Sequence, residues 1–133
     1  MPDAIRNTLF VAAGGALGTL FRHLINLATF TEAFPIGTAI ENITGAFLLG
    51  MATGAIARMK QAPPWLKQGV GVGFCGGYTT TSTFAADTFV LTLQDAPALA
   101  AVYVAISLVF GLLTAWGGLS VGRSMVGRSG RST

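Results

Sequence analysis

The chain has 133 residues, 52% of them hydrophobic and only 10% charged, with a mean hydropathy of +0.65. A soluble domain carries about 25% charged residues, so this composition excludes a water-facing globular surface and reads as one integral membrane domain. The net charge of +3 and the pI near 9.6 come from cations at segment ends, with no basic stripe along a face, which excludes a nucleic-acid partner.

A bilayer core needs about 20 apolar residues per helix, and four segments meet that length. The first covers about residues 7–31 and is interrupted only by Arg22 and His23. An apolar stretch after Arg6 resembles a signal peptide, but three more apolar segments follow, so it is read as a retained membrane helix. Gly14, Gly18 and Arg22 recur every four residues and share a face. The two glycines allow close helix packing. Arg22 either snorkels to an interface or raises the local potential and attracts anions.

The second segment, about residues 37–57, places Thr38, Asn42, Gly45 and Leu49 on one face. The Asn42 amide has two N–H donors, which either replace water around an anion or bond a neighbouring helix. Glu41 must pair, protonate or face water. It reads either as a proton-coupling acid or as an acid at a watery vestibule.

The third segment, about residues 65–93, starts after Pro63-Pro64, a natural helix break and restart. Its centre reads Gly73-Phe74-Cys75-Gly76-Gly77-Tyr78-Thr79-Thr80-Thr81-Ser82-Thr83-Phe84. Paired glycines followed by a hydroxyl run make a poor continuous helix. Irregular backbone at membrane depth is tolerated only inside protein or facing a water-filled cavity. A break here would offer carbonyls to a cation and N–H groups to an anion. The alternative is glycine packing, with each hydroxyl bonded back to its own helix.

The fourth segment, about residues 96–122, begins near Pro97 and carries no charge. Tyr103, Ser107, Gly111 and Thr114 share a face, as a hydroxyl track or as an ordinary helix contact. Residues 123–133 are rich in Ser, Gly and Arg and read as a disordered basic tail after a 1–122 membrane domain. Arg6, Arg58, Lys60, Lys67, Arg123, Arg128 and Arg131 fall on one side of a four-helix path, with Arg22 alone toward the other. The positive-inside rule then puts both termini in the cytoplasm. No catalytic set emerges. His23 and Cys75 are single, neither has a partner at metal-ligand spacing, and Cys75 reads as a small packing residue.

Three blocks taken in order resemble the CrcB, or Fluc, fluoride channels. They are Gly14-Gly15-x-x-Gly18-x-x-x-Arg22, Gly37-Thr38-x-x-x-Asn42-x-x-Gly45-x-Phe47-x-x-Gly50, and the stretch from Gly73 to Phe84. The resemblance covers nearly the whole chain. It implies an all-α integral membrane fold of four transmembrane helices, the third broken mid-membrane between Gly76 and Thr80, assembled as an antiparallel, dual-topology dimer with two pores. It implies passive export of fluoride across the inner membrane and fluoride resistance, without enzymatic activity.

By the same resemblance, the Gly76 and Thr79 carbonyls would hold a structural sodium ion at the dimer centre. Asn42, Ser82, Thr83, Phe84, Tyr103, Ser107 and Thr38 would line the fluoride pore. Arg22, Glu41 and Asp87 would belong to the vestibule, Asp87 standing where the family has glutamate. Two positions depart from the pattern. Thr81 replaces the first pore phenylalanine, and Glu41 replaces an apolar residue and adds negative charge near an anion path. The partner in the antiparallel dimer is either a second copy or an oppositely oriented paralogue, and the one-sided cations favour one-way insertion and the paralogue. The rival readings are a proton-coupled exporter using Glu41 and a non-conducting subunit of a heterodimeric channel.

Overall fold

The computed structural model describes residues 2–29 and 34–129, without the side chains of 127–129. Its order is α1 (Asp3–Thr29), α2 (Ile36–Arg58), α3 (Pro64–Lys67), a π-helical segment (Gln68–Cys75), α4 (Gly76–Tyr78), α5 (Thr81–Leu93) and α6 (Pro97–Ser129). Three of these, α1, α2 and α6, are long and apolar enough to cross a membrane. The third apolar segment is divided among α3, the π-helical segment, α4 and α5.

Large apolar side chains point outward rather than in. Leu112 and Trp116 are 73% and 71% exposed, whereas the buried apolar cluster holds only Ala39, Leu91, Ala100 and Tyr103, flanked by Phe34 and Phe84. A fold with this distribution suits an apolar solvent and is held by close backbone packing instead of a greasy core.

Glycines make that packing. A side chain on Gly14 or Gly18 of α1 would run into the Gly69 or Phe74 carbonyl of the π-helical segment. Between α2 and α6 the arrangement is reciprocal. Gly50 and Gly54 lie on the Ala115 and Leu119 carbonyls, and Gly118 and Gly122 lie on those of Phe47 and Met51. The Thr114 hydroxyl reaches across the same seam to the Ile43 carbonyl at 2.9 Å.

This seam explains a correction. The fourth helix does not stop at Gly122 with a disordered tail behind it; α6 continues to Ser129. Gly54 still packs on the Arg123 backbone, so the α2 contact carries the helix past the polar composition that argued for an end. Residues 130–133, the remainder of that expected tail, lie outside the described residues, as do 30–33 at the expected end of the first helix. Between α5 and α6, Asp95 takes a left-handed φ of 55°, which a short polar side chain tolerates.

The irregular stretch is also narrower than the sequence implied. Gly76, Gly77 and Tyr78 remain helical, and only Thr79 (φ −84°, ψ 158°) and Thr80 (φ −147°, ψ 122°) are extended.

Candidate functional site

Asn42 builds the junction at Thr79–Thr80. Its Nδ2 donates to the Thr80 carbonyl at 3.0 Å, and its Oδ1 accepts the Thr80 N–H at 2.8 Å. One side-chain amide thus satisfies both polar groups of Thr80, as a neighbouring peptide would. In a continuous helix the Thr80 N–H would bond the Gly76 carbonyl. The Thr83 N–H would likewise bond Thr79, but here it goes to the Thr80 hydroxyl at 3.2 Å, an N-cap that starts α5. Both capture events release carbonyl oxygens, those of Gly76 and Thr79, from their helical donors.

The hydroxyls of the stretch divide between two jobs. Thr79 bonds back to the Cys75 carbonyl at 2.9 Å, and Thr88 to the Phe84 carbonyl at 2.8 Å. Thr80, Ser82 and Thr83 instead bond one another around the cap, at 3.2 and 3.0 Å from the Thr80 oxygen.

Among the described residues, two cavities lie beside this junction. The smaller, 130 Å³, is lined by Asn42, Thr80, Thr81, Phe84, Ser107 and Leu108. Ser107 is buried and its Oγ has no partner among the described residues. The second N–H of Asn42 is also unused, because Nδ2 makes one bond. The larger cavity, 310 Å³, is lined by Thr38, Thr83 and Asp87 together with Asn26, Thr29 and the Phe34–Gly37 turn.

Tyr103 and Glu41 are the two largest fully buried side chains, and neither lines either cavity. The Tyr103 ring packs on Phe84 at 5.2 Å and edge-on to Phe34 at 5.6 Å, and its hydroxyl donates to Asp87 Oδ2 at 3.3 Å. Neither Glu41 oxygen has a hydrogen-bond partner among the described residues.

The residues singled out from sequence therefore separate. Asn42, Thr81, Phe84 and Ser107 share the smaller cavity; Thr38, Thr83 and Asp87 share the larger one. Tyr103 lines neither cavity but packs on a residue of each, Phe84 and Phe34, and Ser82 is exposed and lines neither. Arg22 is half-buried one turn before Asn26 on α1. Thr80, placed at the expected break, is the N-cap residue of α5. Two residues were missed. Asn26 and Thr29 went unmarked, although the four-residue spacing of Gly14, Gly18 and Arg22 leads straight to Asn26.

A family profile described as "CrcB-like protein, Camphor Resistance (CrcB)" matches residues 9–119. A protein of Halalkalibacterium halodurans named "Fluoride-specific ion channel FluC 2" is 46% identical over 112 residues, 84% of this chain and 82% of that one. A Bacillus subtilis protein of the same name is 45% identical over 117 residues, 88% of each chain. The "Fluoride-specific ion channel FluC" of Agrobacterium fabrum is 36% identical over 122 residues, 90% of this chain and 98% of the relative.

Proposed function

Since this chain belongs to the CrcB-like family, we propose that it is a membrane channel, not an enzyme, that carries fluoride out of the cell by passive electrodiffusion. The observation that carries the reading is the donor set of the smaller cavity. An unpartnered Ser107 hydroxyl and a spare Asn42 N–H face it beside the Phe84 ring, and no Lys or Arg lines it. Fluoride is strongly hydrated, so a pore must replace water with donors while holding the ion weakly enough to release it. Neutral hydroxyl and amide donors and a positive ring edge meet both demands, whereas a fixed cation would trap the ion. The membrane potential supplies the drive, about 2.3 kcal/mol per charge per 100 mV, so no energy-coupling site is needed.

In this reading the third apolar segment is the fourth span. The Thr79–Thr80 junction lies at membrane depth, and the larger cavity is a vestibule bounded by Asn26, Thr38 and Asp87. The Gly76 and Thr79 carbonyls fit a sodium ion. They are hard oxygen donors freed from helical partners, and Gly76 is exposed on this chain, where a second subunit could add its own pair. Sodium would supply fixed positive charge there. The chain's own residues do the rest: Asn42 holds the junction open, and Ser107 and Phe84 shape the path.

The cation distribution favours one-way insertion, with termini inside and an oppositely oriented paralogue as partner in an antiparallel dimer. Thr81 in place of an aromatic would then make the two pores unequal. Purified protein in potassium-loaded liposomes tests the whole reading with a fluoride electrode. Fluoride efflux triggered by a potassium ionophore, without a pH gradient, supports the channel. Flux that requires a pH gradient supports proton-coupled export. Flux that appears only when a paralogue is added supports the heterodimer.

A further inference from the structure

Glu41 is the buried group that the fluoride path leaves unused. It is 0% exposed, its two oxygens have no hydrogen-bond partner, and no ion pair reaches it among the described residues. Thr38, less than one turn before it, lines the larger cavity, and Asn42, directly after it, lines the smaller. Glu41 itself lines neither cavity, but a helix rises only about 1.5 Å per residue, so an ion passing from the level of Thr38 to that of Asn42 passes the level of Glu41.

The groups around it are specific. Arg22 on α1 and Asp87 on α5 are the charges that act on it, and Tyr103 on α6 is the neighbouring phenol, already bonded to Asp87. On α4, Tyr78 turns its hydroxyl to Thr44 instead. Cys75 is the one titratable side chain of the π-helical segment, and Lys67 on α3 lies beside Ile56 and Ala57, at the other end of α2.

A single proton changes what an anion meets at this level. An ionised carboxylate is a negative charge in a medium that screens poorly, and it opposes fluoride. A neutral carboxyl has no such charge and adds one O–H donor to a path built of neutral donors. We infer that Glu41 is a proton-operated gate between the two cavities, open to fluoride when the carboxyl carries its proton and closed when it does not. The step is reversible proton exchange with water, with no covalent chemistry. It rests on the channel reading and adds a regulation that the donor set of the smaller cavity alone does not supply.

The test uses whichever assembly carries fluoride in liposomes, the chain alone or with its paralogue. Efflux is measured at equal internal and external pH, from mildly acidic to mildly alkaline buffer, with the leak of protein-free vesicles subtracted. Unmodified protein should lose flux as pH rises, by up to about tenfold per pH unit on the alkaline limb if only the protonated fraction conducts. Glu41→Gln should conduct at or above the acidic rate at every pH. Glu41→Leu, which also removes the charge, should show the same flat profile, separating charge from a fault in one variant. A flat profile for unmodified protein, or the same slope in both variants, would overturn the gate and leave the channel intact. No protein-dependent fluoride flux at any pH would remove the channel reading and the gate together.

Discussion

The α2–α6 seam is closed by what its glycines lack, the Thr79–Thr80 junction by what Asn42 supplies. Along the seam, Gly50, Gly54, Gly118 and Gly122 bring backbone onto backbone with no side chain between, and Thr114 adds one hydrogen bond. At the junction the backbone leaves the helix for two residues, and one amide satisfies both polar groups of Thr80. Small residues bring the helices together, and a single polar side chain satisfies the irregular stretch, the condition under which an apolar solvent tolerates such backbone.

Overfilling the seam should break the comparison most severely. Gly118→Leu would drive a side chain into the Phe47 carbonyl, where neither helix can yield without losing the neighbouring contacts. A cost at the upper end of the overpacking range, about 3 kcal/mol, is expected, seen as lost monodisperse protein after detergent extraction. Gly111→Ala and Gly117→Ala have open space around them and should extract like the unmodified chain.

Asn42→Ala should come next. It strands the Thr80 N–H and C=O together, at about 1–3 kcal/mol for each buried group left unpaired. The thermal midpoint in detergent should fall, and fluoride efflux should fall further than the lost stability accounts for.

Ser107→Ala sharpens the contrast, because it separates function from folding. Its hydroxyl has no partner among the described residues, so the midpoint should stay put or rise slightly. On the proposed path, which counts this hydroxyl among the donors to the ion, fluoride efflux should still drop several-fold. Equal efflux from both proteins would take Ser107 off the path.

The smallest effect is expected at Thr114. Replacing it with Val removes the bond to the Ile43 carbonyl, a contribution of about 0.6 kcal/mol between membrane helices. The midpoint should shift slightly and efflux should be unchanged.

How far these regions could be read from sequence follows the same division. The glycine spacing that marked Gly14 and Gly18 was also present at Gly50 and Gly54 and at Gly118 and Gly122. Spacing alone does not say which two helices face each other, so the α2–α6 seam went unread and the end of α6 was placed too early. The hydroxyl run and Asn42 stood out because polar groups are rare in apolar segments. Their pairing did not, because it joins positions 38 residues apart and depends on how α2 lies against the junction. Glu41 was legible as an anomaly of type. Its complete enclosure, with no partner among the described residues, depends on how the helices pack around α2.

Initial fluoride efflux from ionophore-treated liposomes, compared among the unmodified chain, Ser107→Ala and Asn42→Ala in the same conducting assembly, tests the central claim most directly. A donor-lined path through the Asn42-held junction predicts fast efflux from the first, several-fold slower efflux from the second with undiminished thermal stability, and little from the third. Indistinguishable rates from all three folded proteins would contradict it.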